Sequence, residues 1–97
     1  MAQPILRAEL ENGDTYDDPS EDLLFLLFED IEAGKSLYVI VEDVADATGQ
    51  TYVQALRDKD GTYLVERRAG TPQSHHGSRV RDMRTAHGMV TEWAFRR

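Results

Sequence analysis

The patterning of the chain changes character twice. From Leu37 to Arg68 three segments are rich in Val, Ile, Thr and Tyr: Leu37 to Asp43, Thr51 to Arg57, and Thr62 to Arg68. These residue types suit a pleated, half-buried surface. Turn chemistry separates the segments, Asp46-Ala47-Thr48-Gly49 and then Asp58-Lys59-Asp60-Gly61. An antiparallel meander is the expected outcome, with a helix-forming segment on either side.

The register of the second hairpin follows from its loop. If Lys59-Asp60-Gly61 forms a three-residue loop, with Gly61 in the left-handed position of a bulge, then Asp58 faces Thr62, Leu56 faces Leu64 and Gln54 faces Glu66. One sheet face then carries Val53, Ala55, Tyr63 and Val65, and is the drier. The other carries Tyr52, Gln54, Leu56, Leu64, Glu66 and Arg68. A two-residue turn at Asp60-Gly61 would shift the pairing by one and regroup both faces.

Upstream, Ile5 to Glu11 alternates imperfectly, and Asn12-Gly13 follows as a strong turn signal. This predicts a first strand, with Thr15-Tyr16 available as a short returning partner. Asp17-Asp18-Pro19-Ser20-Glu21 then opens a helix. Pro19 suits the first helical position, which makes Asp18 the N-cap and Glu21 its reciprocal partner. Leu24, Leu27, Phe28 and Ile31 share one face and are expected in the core, and Gly34 ends the helix. Leu23, Phe25 and Leu26 are left over, available either to loops of the same chain or to a second molecule.

Downstream, Ala69-Gly70-Thr71-Pro72 is a turn, and Gln73 to Val80 is a short candidate edge strand. Asp82 is a plausible N-cap for the last helix. Met83, Ala86, His87, Val90, Trp93 and Ala94 share one face, and Arg96 and Arg97 complement its negative end. Trp93 is expected to be the largest buried residue, so that its truncation to Ala would cost about 3–5 kcal/mol. The fold class is therefore α+β: one domain over residues 1–97, an antiparallel sheet of four to five strands, and two helices on one face. The expected order is strand, helix, three or four strands, helix.

Charge adds an asymmetry. The formal net charge is −7 at pH 7. Residues 1–60 hold 15 acids and 4 bases, whereas residues 61–97 hold 3 acids and 7 bases. An acidic chain argues against nucleic acid as the main partner, because phosphate contacts need a basic surface. No apolar run approaches the length of a membrane span, and Met1-Ala2-Gln3-Pro4 has neither the basic nor the apolar region of a signal peptide. The absence of Cys fits a reducing, cytoplasmic setting. Nine Arg against two Lys gives the expectation of a GC-rich bacterial genome.

Candidate chemistry is sparse. His75-His76 is the one cluster that hints at metal, but adjacent strand residues point to opposite faces, and His87 adds no fixed geometry. Neither a metal nor a cofactor is expected. The Ser and carboxylate residues lack the flanking pattern of a nucleophile–base or acid/base couple, and there is no phosphate-binding glycine loop. An enzyme is not expected. His87, on the apolar face of a helix, reads as a satisfied core-edge histidine.

Several short motifs together resemble small bacterial immunity proteins of polymorphic toxin systems, and uncharacterised domains like them. These are the helix opened by Asp18-Pro19-Ser20-Glu21-Asp22, the strand Tyr52-Val53-Gln54-Ala55, the hairpin Asp60 to Glu66, the segment Gly70 to His76, and the last helix ending Trp93-Ala94-Phe95. The resemblance implies a non-enzymatic cytoplasmic binder that blocks a toxin domain, and it transfers no functional residues. An acidic inhibitor of this kind would steer towards a basic partner.

Two surfaces are the candidates for such a partner: the open sheet face at Tyr52, Gln54, Glu66 and Arg68, and the acidic stretch at Asp17 and Asp18 with Glu9, Glu11, Asp14, Glu21 and Asp22. The bland alternatives are a solvated sheet face and acids that merely cap a helix. A second functional class stays open, a homodimer or higher homo-oligomer formed through Leu23, Phe25 and Leu26.

Overall fold

A computed structural model describes residues 5–96. Met1 to Pro4 and Arg97, which carried the expectations about a signal peptide and about the helix end, lie outside the described residues. The chain runs β1 (Leu6–Leu10), β2 (Thr15–Asp17), α1 (Glu21–Glu32), β3 (Tyr38–Asp43), β4 (Thr51–Arg57), β5 (Tyr63–Ala69), a 3₁₀ turn (Pro72–Ser74), β6 (His76–Val80) and α2 (Met83–Phe95). The strands form one antiparallel sheet in the order β2-β1-β3-β4-β5-β6. The expected four to five strands are six: Thr15–Asp17 does return as a strand, and β1 inserts beside β3 and extends the meander.

Two hairpins are built the same way. Leu10 N–H donates to Asp14 O and Gly13 N–H to Leu10 O, just as Asp58 N–H donates to Thr62 O and Gly61 N–H to Asp58 O. In each, a three-residue loop ends on a glycine with φ near +90° (90° at Gly13, 85° at Gly61), a conformation that costs other residues a steric clash. This loop sets the register of β4 against β5: Leu56 faces Leu64 and Gln54 faces Glu66, so the alternative two-residue turn is not used.

The helix start differs from expectation. Ser20, not Asp18, is the N-cap of α1, and its hydroxyl accepts from Leu23 N–H at 3.1 Å. Pro19 lies before the cap and is buried. Asp18 takes up φ +45°, and its Oδ1 accepts from the backbone N–H groups of Ile5 (2.8 Å) and Leu6 (2.9 Å). The carboxylate thus anchors the start of β1, a long-range demand that outcompeted capping. At the other end, Lys35 N–H reaches Asp30 O and Gly34 N–H reaches Ile31 O, the double closure of a Schellman motif.

Both helices pack on one face of the sheet. Leu24, Leu27, Phe28 and Ile31 of α1 and Ala86, Val90 and Ala94 of α2 are buried against Leu6, Ala8, Leu10, Val39, Val41, Val53, Ala55, Tyr63 and Val65. His87 joins the helices: its ring stands edge-on to Phe25 (5.3 Å) and Phe28 (5.7 Å), and its Nε2 donates to Glu21 O at 3.3 Å. Tyr63 is fully buried, and its hydroxyl donates to Glu32 at 2.6 Å; Arg57 Nε donates to the same carboxylate oxygen at 2.8 Å. Burial first, and the Glu32 carboxylate second, push the Tyr63 phenol well above its ordinary pKa. One carboxylate therefore ties the end of α1 to the β4–β5 hairpin.

Trp93 is the exception among the expected core residues. It is half-buried at the margin and packs against the core from outside, while Tyr63 and Phe28 are the largest fully buried side chains. Phe28→Ala is expected to cost about 3–5 kcal/mol in urea unfolding, and Trp93→Ala less than Phe28→Ala; the reverse order would contradict this core. Asp82 caps α2 by accepting from Thr85 N–H at 2.8 Å, which lowers its pKa below the usual carboxylate value. Its folded pKa is lower than its unfolded one, so its contribution is present above about pH 4 and is lost as pH falls through the folded value. Asp82→Asn, which caps without titrating, is expected to flatten the acid limb of the stability–pH profile below about pH 4.

Candidate open sheet face

No described element covers the face opposite the helices, and its residues follow from strand parity. Three cross-strand rows run over it. The first is Asp17–Arg7–Glu42–Tyr52–Arg68, the second Thr15–Glu9–Ile40–Gln54–Glu66–Gly77, and the third Tyr38–Leu56–Leu64–Arg79. Tyr38, Ile40, Leu56 and Leu64 make a contiguous apolar centre of half-buried side chains. Arg79 closes one side of it by donating to Asp58 and Thr62. Gly77 offers no side chain opposite Glu66; a Cβ there would lie 3.6 Å from Glu66 Cγ and 3.9 Å from Leu64 Cδ1. Glu66 and Leu64 therefore lean over the bare backbone of β6.

A polar network occupies the β5 side of the face. Arg68 Nη1 donates to Gln50 Oε1 at 2.7 Å, and its Nε donates to His75 Nδ1 at 3.2 Å. His75 Nε2 lies 2.8 Å from Glu66 Oε2. The Arg68 guanidinium stands 5.6 Å from the Tyr52 ring centroid, and the His75 ring is 6.3 Å from the same ring. An arginine can only donate, so Nδ1 must accept and the proton sits on Nε2, which donates to Glu66. With both ring nitrogens engaged, His75 has no free position for taking a proton from a bound substrate. The neighbouring Ser74 hydroxyl is likewise occupied, accepting from Ala69 N–H and donating to backbone carbonyls. The network is built to hold four side chains still.

Of the residues singled out in the sequence, Tyr52, Gln54, Glu66, Arg68 and Asp17 fall on this one face. Asp17 lies at its far edge, about 14 Å from β4 at ordinary strand spacing, and pairs with Arg7 at 2.8 Å. That bond raises the Arg7 pKa. Asp18 does not join them, because its carboxylate holds the start of β1. Other members of the acidic stretch also brace the chain: Glu11 accepts from Leu37 N–H at 2.8 Å, and Asp14 from the Asn12 amide at 3.1 Å. Glu9 and Glu42 also lie on the open face, where their charges add to the rise in the Arg7 pKa, and neither forms an ion pair with another described residue.

Comparison with protein-family models, curated proteins and solved structures finds no significant match to this chain.

The apolar patch proposed for self-association is largely spent inside the fold. Leu23 packs on the core, Phe25 on His87, and only Leu26 stays open, at 55% exposure. His76 sits across from Arg67 on the helix side, so His75 and His76 do face apart. Among the described residues, no three His, Cys, Asp or Glu side chains gather as metal ligands, and no helix is long and apolar enough to cross a membrane.

Sequence reasoning missed Gln50 and His75 as parts of the face. The signal for Gln50 was the register, which puts Thr51 opposite Ala69 and hence Gln50 beside Gly70. His75 carried no local signal, because the 3₁₀ turn at Pro72–Ser74 is what folds it back over β5. In ¹⁵N-detected NMR His75 is expected as the Nε2–H tautomer; Arg68→Ala, which frees Nδ1, should let the other tautomer appear.

Proposed function

We propose that this chain is a small, non-enzymatic, cytoplasmic protein-binding domain that docks a partner on its open sheet face, in the manner of an immunity protein blocking a toxin domain. The observation that carries the reading is the uncovered face itself. Tyr38, Ile40, Leu56 and Leu64 form an apolar centre, and the Gln50–Arg68–His75–Glu66 network stiffens one flank. A rigid apolar centre inside a polar rim is the anatomy of a protein interface. Pre-organised side chains also lose little entropy on binding.

The partner is a protein with a basic contact surface. On the face Asp17, Glu9, Glu42 and Glu66 stand against Arg7, Arg68 and Arg79, and the chain carries a formal charge of −7 at pH 7. Like-signed partners would be repelled and basic ones steered in. A basic toxin domain fits this chemistry and the resemblance noted in the sequence.

The test is capture from the lysate of the native host with wild-type, Ile40→Glu, Glu66→Arg and Leu26→Gln baits, followed by titration of the purified partner. A stoichiometric basic partner bound by wild type and by Leu26→Gln, at least ~10-fold weaker with Ile40→Glu and Glu66→Arg, and weakened further by salt, is the expected result. Equal binding by all four baits, or loss with Leu26→Gln alone, overturns the assignment of this face.

A further inference from the structure

On the helix side, opposite the open face, two helices do not span six strands. α2 lies over β4 and β5 and leaves a cleft of about 360 Å³ beside it. Val53 and Val65 form its buried floor, Met89 and Trp93 its apolar wall, and Arg67, Glu92 and Arg96 its rim. The volume is within the range of small-molecule sites.

Arg67 is out of place by pattern. Tyr63, Val65 and Arg67 share the inward parity of β5, and Arg67 stands directly opposite the core residue Val53. Parity alone would put a buried apolar residue at this exposed position. Instead a guanidinium lines the cleft with no hydrogen bond or ion pair to any described residue, while the Glu92 carboxylate in the same cleft is shared with Arg96 at 3.7 Å. Two arginines and one glutamate leave the rim at +1 in a chain whose formal charge is −7. The result is a locally positive, apolar-walled recess on an acidic protein.

We propose that this cleft is a binding site for a small aromatic carboxylate. The ring lies against Trp93 and Met89 over Val53 and Val65, and the carboxylate takes the planar fork of Arg67. One negative charge matches the rim; a dianion such as a phosphate monoester would meet Glu92. The site is separate from the protein-docking face, because its residues have the opposite strand parity.

Trp93 is the only tryptophan of the chain, so its selectively excited emission reports occupancy directly. The probe is hydrocinnamate, titrated beside its neutral amide, hydrocinnamamide, against wild type, Arg67→Gln, Arg67→Lys and Leu26→Gln. Expected is a saturable change with a Kd on the order of 1 mM for the acid, and at least ~10-fold weaker binding of the amide. Arg67→Gln should bring the acid to the level of the amide, and an unchanged urea-unfolding midpoint shows that the variant is folded. Arg67→Lys should retain part of the preference, and Leu26→Gln, on α1 and outside the cleft lining, should retain all of it. The proposal is overturned by no saturable change up to ~10 mM, by equal affinity for acid and amide, or by an acid preference that survives in Arg67→Gln.

Discussion

Everything about this molecule depends on a mismatch of width. Six strands at ordinary spacing span about 24 Å between the edge strands. Two helices of about 10 Å each cover little more than 20 Å. A chain of 97 residues that spends its length on this sheet has no third helix among its described elements for the second face. One face is therefore bare, and β6 projects beyond α2 on the covered one. The open face is a product of that geometry, and the Arg67 cleft lies on the opposite side of β5, beside α2.

The cover that exists is held by polar ties as well as by packing. Glu32 receives Tyr63 and Arg57 together and fixes the end of α1 over the β4–β5 hairpin. Asp18 holds the start of β1. Glu11 and Ser36 brace the approach to β3. These carboxylates share a position in the chain's acidic half but not a function. Each satisfies a donor brought in by a distant part of the chain, a backbone N–H for Asp18 and Glu11 and two side chains for Glu32, and such charge-assisted bonds outweigh the few tenths of a kcal/mol that a helix dipole offers. An acid-rich sequence is thus a poor guide to an acidic surface: Asp17 and Glu9 of the acidic stretch reach the open face, together with Arg7 and with Glu42, which lies outside that stretch.

The residues of the open face divide by how local their cause is. Tyr52, Gln54, Glu66 and Arg68 were legible because strand parity and a three-residue loop ending in Gly61 are short-range facts. Arg7, Tyr38, Ile40 and Glu42 have the same parity logic but needed β1 to be placed beside β3. His75 and Gln50 needed the chain to turn back across β5, and no pattern within a few residues of either encodes that.

The amino-acid sequence by itself determined the α+β class, the meander with two candidate registers for its second hairpin, the apolar stripe Leu24–Leu27–Phe28–Ile31, and the cap at Asp82. These rest on period, turn residues and capping, whose energies act over a few residues. The tertiary structure alone decided that Asp18 anchors a strand instead of capping a helix, that Trp93 stands at the margin instead of the centre, and that Leu23 and Phe25 are spent within the fold. Each of those depends on which distant surface arrives first at a given spot. Space and hydrogen-bond partners there are finite, and helical or strand periodicity carries no record of who competes for them.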